Sequence, residues 1–367
     1  MKTIMTAGAA LLMTTSIAAA GGLDRSGQPI GVIFEDGDYA ELSFGSVSPS
    51  ITGVANPLLG GAASGNIAPS YTQVGMGFKT QLSDQLSAAL IYDQPFGASV
   101  AYPTTAYPAT GSLAEVESDG LTALVRYEIN PNLSVHGGLR YVQANGVYTP
   151  FSGGSVAYDS TYSEDGGTGY VVGGAYERDD IAMRIALTYS SGIDLMLPGS
   201  AGGNTLAANL PESVNLDFQT GIAADTLLFG SIRYVAWDGF SLDDSNLVDP
   251  VNNPTGSILS YDDDVFTYNV GVGRRLNENF AVSFSVGYEA STGEQTGQLG
   301  PTDGFISYQI GGAYTMDNGV ELSGGIRYVD LGDAETEEAL AAPGTGYTGR
   351  FNDNSAVGIG LKIGYTF

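Results

Sequence analysis

The 367 residues include no cysteine, one histidine and one tryptophan, and only 13 lysines and arginines stand against 40 aspartates and glutamates. Without cysteine there is no disulfide framework, no thiol nucleophile and no thiolate metal site, and a single histidine cannot complete a Cys/His zinc site. The formal charge of −27 excludes a sequence-independent grip on nucleic acid, which needs a basic footprint. Charged residues of both signs make up only 14% of the chain, thinner than the surface of a soluble domain requires. Beyond the N-terminal leader, no stretch approaches the roughly 18 consecutive apolar residues of a membrane-spanning helix.

What is abundant is glycine, with 53 residues, and tyrosine, with 22. Residues 1–20, MKTIMTAGAALLMTTSIAAA, combine one lysine, a short apolar run and Ala18-Ala19-Ala20, the pattern of a cleaved export signal. Cleavage there removes Lys2 and no acid, so the exported chain carries −28.

From about Asp38 onward every second residue is apolar, the period of a strand with two unlike faces. Leu133, Val135, Leu139 and Tyr141 alternate with Ser134, His136 and Arg140; Val320, Leu322, Ile326 and Tyr328 alternate with Glu321, Ser323 and Arg327. The second face is Gly, Ser, Thr and Arg, which suits a narrow, wet lumen rather than the outside of a soluble sandwich. Turn signals at Asp84, Pro131, Asp179, Asp225, Glu278 and Asp317 fall 47, 48, 46, 53 and 39 residues apart, each interval holding two strands and one long polar connection. Short turns on one side and long loops on the other belong to outer-membrane barrels. The segments number about fourteen, beginning near Ala40, Tyr71, Leu86, Leu121, Leu133, Tyr170, Ile181, Val214, Leu227, Phe266, Val282, Ile306, Val320 and Ala356. Tyr92, Tyr141, Tyr189, Tyr234, Tyr288 and Tyr328 each close an apolar face after a short turn, as an interfacial girdle does. The expectation is an all-β, antiparallel transmembrane barrel over 38–367, preceded by a short lumen plug over 21–37.

The C-terminal alternation Val357, Ile359, Leu361, Ile363, Tyr365, Phe367 resembles the recognition strand of outer-membrane barrels, and implies the barrel-assembly machinery as a partner. Leu210–Phe240 resembles the eighth and ninth strands of the long-chain fatty acid transporter family (FadL/TodX-like outer-membrane proteins). IYDQPFG, Ile91–Gly97, resembles that family's third strand, and Gln28–Gly53 its passage from plug to first strand. Of the family's Asn-Pro-Ala plug signature only Pro29 matches, and the plug is shorter, about 17 residues from Gly21 to Gly37. The resemblance implies passive uptake of hydrophobic compounds such as fatty acids or hydrocarbons, without enzymatic chemistry or cofactor. Capture would occur in a groove between the third and fourth outer loops, and release would be sideways into the membrane through a kinked third strand.

Residues that could carry these steps follow. Pro29, Ile30, Val32, Ile33 and Phe34 form an apolar run awkward in free periplasm, and by resemblance they close the channel; alternatively they are a frayed terminus or an early piece of strand one. Pro95 removes a ladder donor and Gly97 lets the backbone bend, so they either open a lateral gap or end the strand under a loop. Arg140, Arg233 and Arg327 recur in GGLRYV, GSIRYV and GGIRYV on the face opposite tyrosine. They belong either to a lumenal salt network with Glu128, Glu177, Asp217, Glu289 and Glu321 or to a carboxylate anchor, which an arginine fork suits. Leu195, Met196 and Leu197 make the fourth outer loop apolar, with Tyr148 and Phe151 facing from the third; they form either the capture groove or a packed roof. His136 with Ser134 lacks the context of a hydrolase. The acids at Asp243-Asp244, Asp262-Asp263-Asp264 and 335–338 lack a calcium-loop spacing and suit a solvated, cation-screened surface beside lipopolysaccharide. The alternative function is a general porin or a structural barrel, with an open lumen and an N-terminus joined to the wall.

Overall fold

The computed structural model describes residues 23–150, 158–250, 253–337 and 344–367; the expected export signal lies outside them. Fourteen strands among the described residues form one closed antiparallel sheet. In chain order they are β1 (Tyr39–Ser50), β2 (Tyr71–Ser83), β3 (Leu86–Asp93), β4 (Leu113–Asn130), β5 (Leu133–Thr149), β6 (Ser160–Arg178) and β7 (Met183–Ser190). The second half comprises β8 (Ser213–Ala223), β9 (Thr226–Val235), β10 (Val265–Arg275), β11 (Phe280–Glu289), β12 (Phe305–Thr315), β13 (Val320–Leu331) and β14 (Asn354–Thr366). Neighbours in sequence are neighbours in the wall, and the circle closes where β1 pairs with β14, Tyr39 opposite Thr366 and Ser50 opposite Ser355. That pairing leaves neither terminal strand with a free edge in lipid, which a span through hydrocarbon requires.

The period-2 pattern sorts as expected, and burial is inverted relative to a soluble protein. On β5 Leu139 is 63% exposed while its neighbour Arg140 is 2% exposed. Ile310 on β12 is 67% exposed beside a buried Gln309. An exposed outer face of Leu, Ile, Val and Phe is stable only against lipid chains. The tyrosines cap this band with their rings outward and their hydroxyls reaching up: Tyr189 donates to Glu212 at 2.6 Å and Tyr234 to Asp264 at 2.7 Å.

Two strands rise further than expected. β4 begins at Leu113 and β6 at Ser160, where alternation of apolar residues predicts Leu121 and Tyr170, because above the membrane both faces turn polar and the pattern disappears although the ladder continues. Tyr148 therefore lies on β5 rather than in a loop. The expected fourth-loop connection is itself a hairpin, Ile193–Pro198 against Thr205–Leu210, extended by Ser241–Asp244 and Ser257–Ser260 into a four-stranded outer sheet. A core of Leu195, Leu197, Leu206, Leu210, Trp237, Phe240 and Leu242 fills the space beneath it.

Candidate functional site: the lumen and a break in its wall

The N-terminal segment sits inside the barrel. Residues Gly31–Phe34 form one 3-10 turn. Ile30, Val32 and Ile33 are buried against Ala89 and Ile91 of β3, Leu124 of β4 and Val171 of β6. Gly77 on β2 makes room for this docking, since a Cβ there would come 2.6 Å from Cγ2 of Val32. Phe34 lies between two guanidinium groups, Arg126 at 4.9 Å and Arg184 at 4.7 Å from its ring centroid, with the His136 ring edge-on at 5.7 Å. A desolvated cation over an aromatic face is attracted by the ring quadrupole, so the segment is held by charge as well as by apolar burial. Burial also pushes the Glu35 carboxyl of this segment up to about 7, against the pull of Lys362 and Arg184.

Upstream, the segment is tied to the wall. Asp24 accepts from both Nε (2.5 Å) and Nη2 (3.1 Å) of Arg233, whose Nη1 donates to Asn215 at 2.8 Å. Ser26 donates to the buried carboxylate of Asp93, Asn215 to the Gly27 carbonyl at 2.9 Å, and Ser213 to the Gln28 side chain at 2.9 Å. The other two inward arginines of the repeated motif have wall partners: Arg140 donates to Thr122 at 2.8 Å and Ser190 at 3.1 Å, and Arg327 to Ser307 at 2.9 Å. His136 contacts Thr188 at 3.0 Å in the barrel interior, and Ser134 accepts from Nε of Arg126 at 3.0 Å.

The wall itself is interrupted. The β2–β3 ladder ends at Met76 opposite Tyr92, although β2 continues upward to Tyr71 in full register with β1. Above Asp93 the chain leaves the ladder through Gln94-Pro95-Phe96 and resumes as an outer arm, Gly97–Ala101, that pairs with β4. On its other edge the arm pairs with the N-terminal segment instead of with β2: Asp24 bridges Phe96, the Arg25 amide donates to the Pro95 carbonyl at 2.9 Å, and the Gly97 amide donates to the Leu23 carbonyl at 2.8 Å. Across the break the Gln94 side chain accepts from the Val74 amide at 3.0 Å.

Two cavities lie on either side of the segment. The lumenal one, about 280 Å³, is lined by Pro29, Glu35, Asp93, Arg184, Arg233 and Arg327, and also by Val74, Met76 and Tyr92 on the two strands that part. The outer one, about 30 Å³ and largely apolar, is lined by Leu23, Ala98, Val116, Tyr148, Leu206 and Leu242. Residues 24 and 25 thus stand between them. Of the residues expected at an outer groove, Tyr148 borders the outer cavity, Leu195 and Leu197 point into the roof core, Met196 is 55% exposed, and Phe151 lies outside the described residues. Sequence reasoning missed Asp24, Arg25, Ser26 and Asp93 as ties, and Arg126 and Arg184 as the clamp on Phe34. An adjacent charge pair within an otherwise apolar N-terminal stretch was the available signal.

A family model described as "Outer membrane protein transport protein (OMPP1/FadL/TodX)" matches residues 36–367. Among solved structures, a Pseudomonas aeruginosa FadL homologue superposes with a TM-score of 0.74 at 13% identity, covering 97% of this chain and 98% of its own. The Pseudomonas putida toluene transporter TodX gives 0.63 at 12% identity, over 95% and 96% of the two chains. The Ralstonia pickettii toluene transporter TbuX gives 0.59 at 12% identity, over 92% and 91%. No curated protein sequence matches.

Proposed function

Since the chain belongs to the OMPP1/FadL/TodX family of outer-membrane transport proteins, a non-enzymatic channel family for hydrophobic compounds, we propose that it takes long-chain fatty acids or hydrocarbons from the outer cavity into the lumen and releases them sideways into the outer membrane. The observation that carries this reading is the break between Tyr71–Gly75 of β2 and the kink at Gln94–Phe96, opening from the 280 Å³ lumenal cavity toward the lipid-facing strands. An apolar cargo leaving there never has to cross water. The segment Leu23–Phe34 closes the lumen below and the outer cavity above, so transport requires its displacement. Pro95 creates the kink, having no amide proton to offer the ladder, and Gly97 accommodates it. The apolar lining by Leu23, Ala98, Val116 and Tyr148 suits the first capture. The terminal aromatic strand β14 fits recognition by the barrel-assembly machinery, and the acidic outer face fits bridging to lipopolysaccharide through divalent cations.

Detergent extraction followed by mass spectrometry of co-purified small molecules tests the substrate class: a fatty acid or hydrocarbon retained through purification supports it. A lumen that carries only water and small sugars, with steady conductance, is the behaviour of a general porin and contradicts it.

A further inference from the structure

One side chain crosses the break in the wall. In the β2–β3 ladder Gly77 stands opposite Ile91 and Met76 opposite Tyr92, so the same register carried upward sets Val74 opposite Gln94. The backbone of Gln94 has left that position at the kink, and its side chain takes it: the carboxamide oxygen accepts from the Val74 amide at 3.0 Å. A glutamine carboxamide offers the same acceptor as a peptide, so it stands in for one rung of the ladder. Its nitrogen is turned the other way, toward β4, where it donates to Asp119 at 3.4 Å, and the same Asp119 oxygen accepts from the Tyr92 hydroxyl at 2.5 Å. Val74 and Gln94 both line the lumenal cavity, so this rung lies across the way from that cavity out between β2 and the kink. A backbone rung is fixed by both of its strands, whereas this one hangs on a rotatable side chain and can swing away. Tyr92 belongs to the girdle at headgroup level, where water can take over the released Val74 donor; deeper in hydrocarbon an unpaired amide would be prohibitive.

Resting on the reading of the chain as a side-opening channel, we propose that Gln94 is the gate residue of the wall break: bonded to Val74 it closes the break while the channel is idle, and cargo passes when it swings free. Asp119 is a positioning residue, holding the carboxamide with its oxygen toward β2, and Tyr92 steadies Asp119 in turn. Adjacent residues then act in opposite senses, Pro95 making the break and Gln94 closing it.

The test uses Q94M, which keeps the length of the side chain and loses the acceptor, in the full-length channel checked for folding by heat-dependent gel migration. Hydrogen exchange at the Val74 amide of the purified protein should speed up about twofold to tenfold, the worth of one neutral hydrogen bond, while the Phe78 amide, opposite Leu90 within the ladder, stays unchanged. In cells displaying equal amounts of channel, uptake of labelled laurate should rise by a similar factor, and leak of small sugars should stay at the wild-type level because the N-terminal segment is untouched. D119A should act in the same direction, and adding it to Q94M should bring no further rise, since both remove one latch. Unchanged Val74 exchange in Q94M would overturn the assignment, and so would a joint rise of laurate uptake and sugar leak, the mark of a loosened wall. Laurate uptake that stays level or falls in Q94M while Pro95→Val abolishes it would overturn the gate and leave lateral release standing. Full uptake in Pro95→Val overturns lateral release and the gate with it, as does a channel that takes up laurate in neither the wild-type nor the Q94M form.

Discussion

Asp24 and Arg233, 209 residues apart in the chain, form a buried two-pronged ion pair that fixes the N-terminal segment to β9 in the barrel interior. Removing one member of such a pair strands a charge in a low-dielectric site, at a cost of about 3–5 kcal/mol. Arg233→Met is therefore expected to release the segment and raise permeation of small sugars in a liposome-swelling assay. The double variant Asp24→Asn/Arg233→Met, with no charge left over, should leak less than Arg233→Met alone. A single variant as tight as the wild type would mean that the apolar seat of Ile30, Val32 and Ile33 holds the plug unaided.

The seat should also respond to pH. Docking raises the Glu35 carboxyl from its ordinary 4.5 to about 7, so the docked segment favours the protonated form. Its advantage is fully present below pH 4.5 and is lost as pH rises through about 7. Sugar leak should rise across that window, and Glu35→Gln should make it flat. A leak that falls with rising pH would reverse the sign and contradict the burial of this carboxyl.

Orientation follows from the asymmetry of the connections. An epitope inserted at Asp249, in the long excursion between β9 and β10, should be accessible on intact cells, and one at Asn318, in the short turn between β12 and β13, should not. Labelling at Asn318 on intact cells would invert the barrel.

The wall was legible in the sequence because each strand inside the bilayer must present apolar residues outward and small or polar ones inward, and Leu139 beside Arg140 records that demand directly. Above the membrane this contrast ends, which is why the first residues of β4 and β6, Leu113 and Ser160, lie beyond the readable pattern. The kink was legible through Pro95, whose missing donor is a property of one residue. Its partner was not. The arm at Phe96 pairs with Asp24, and a bridge between residues so far apart leaves no periodic trace. The same holds for Phe34 between Arg126 and Arg184: three residues from three segments meet only once the barrel closes. The repeated arginine motif looked uniform, yet its members do different things, one tying down the N-terminal segment through Asp24 and two bonded to hydroxyls of the wall.

The central claim is that cargo leaves through the break beside Pro95, and uptake by a straightened strand tests it most directly. Pro95→Val restores an amide donor to the β2 side of the strand and spares Gly97, whose replacement would displace Arg25. Uptake of labelled laurate should fall sharply in cells with normal barrel levels, while sugar leak stays at the wild-type level because the plug is untouched. Full uptake through a straightened strand would send the cargo out of the periplasmic end and contradict lateral release.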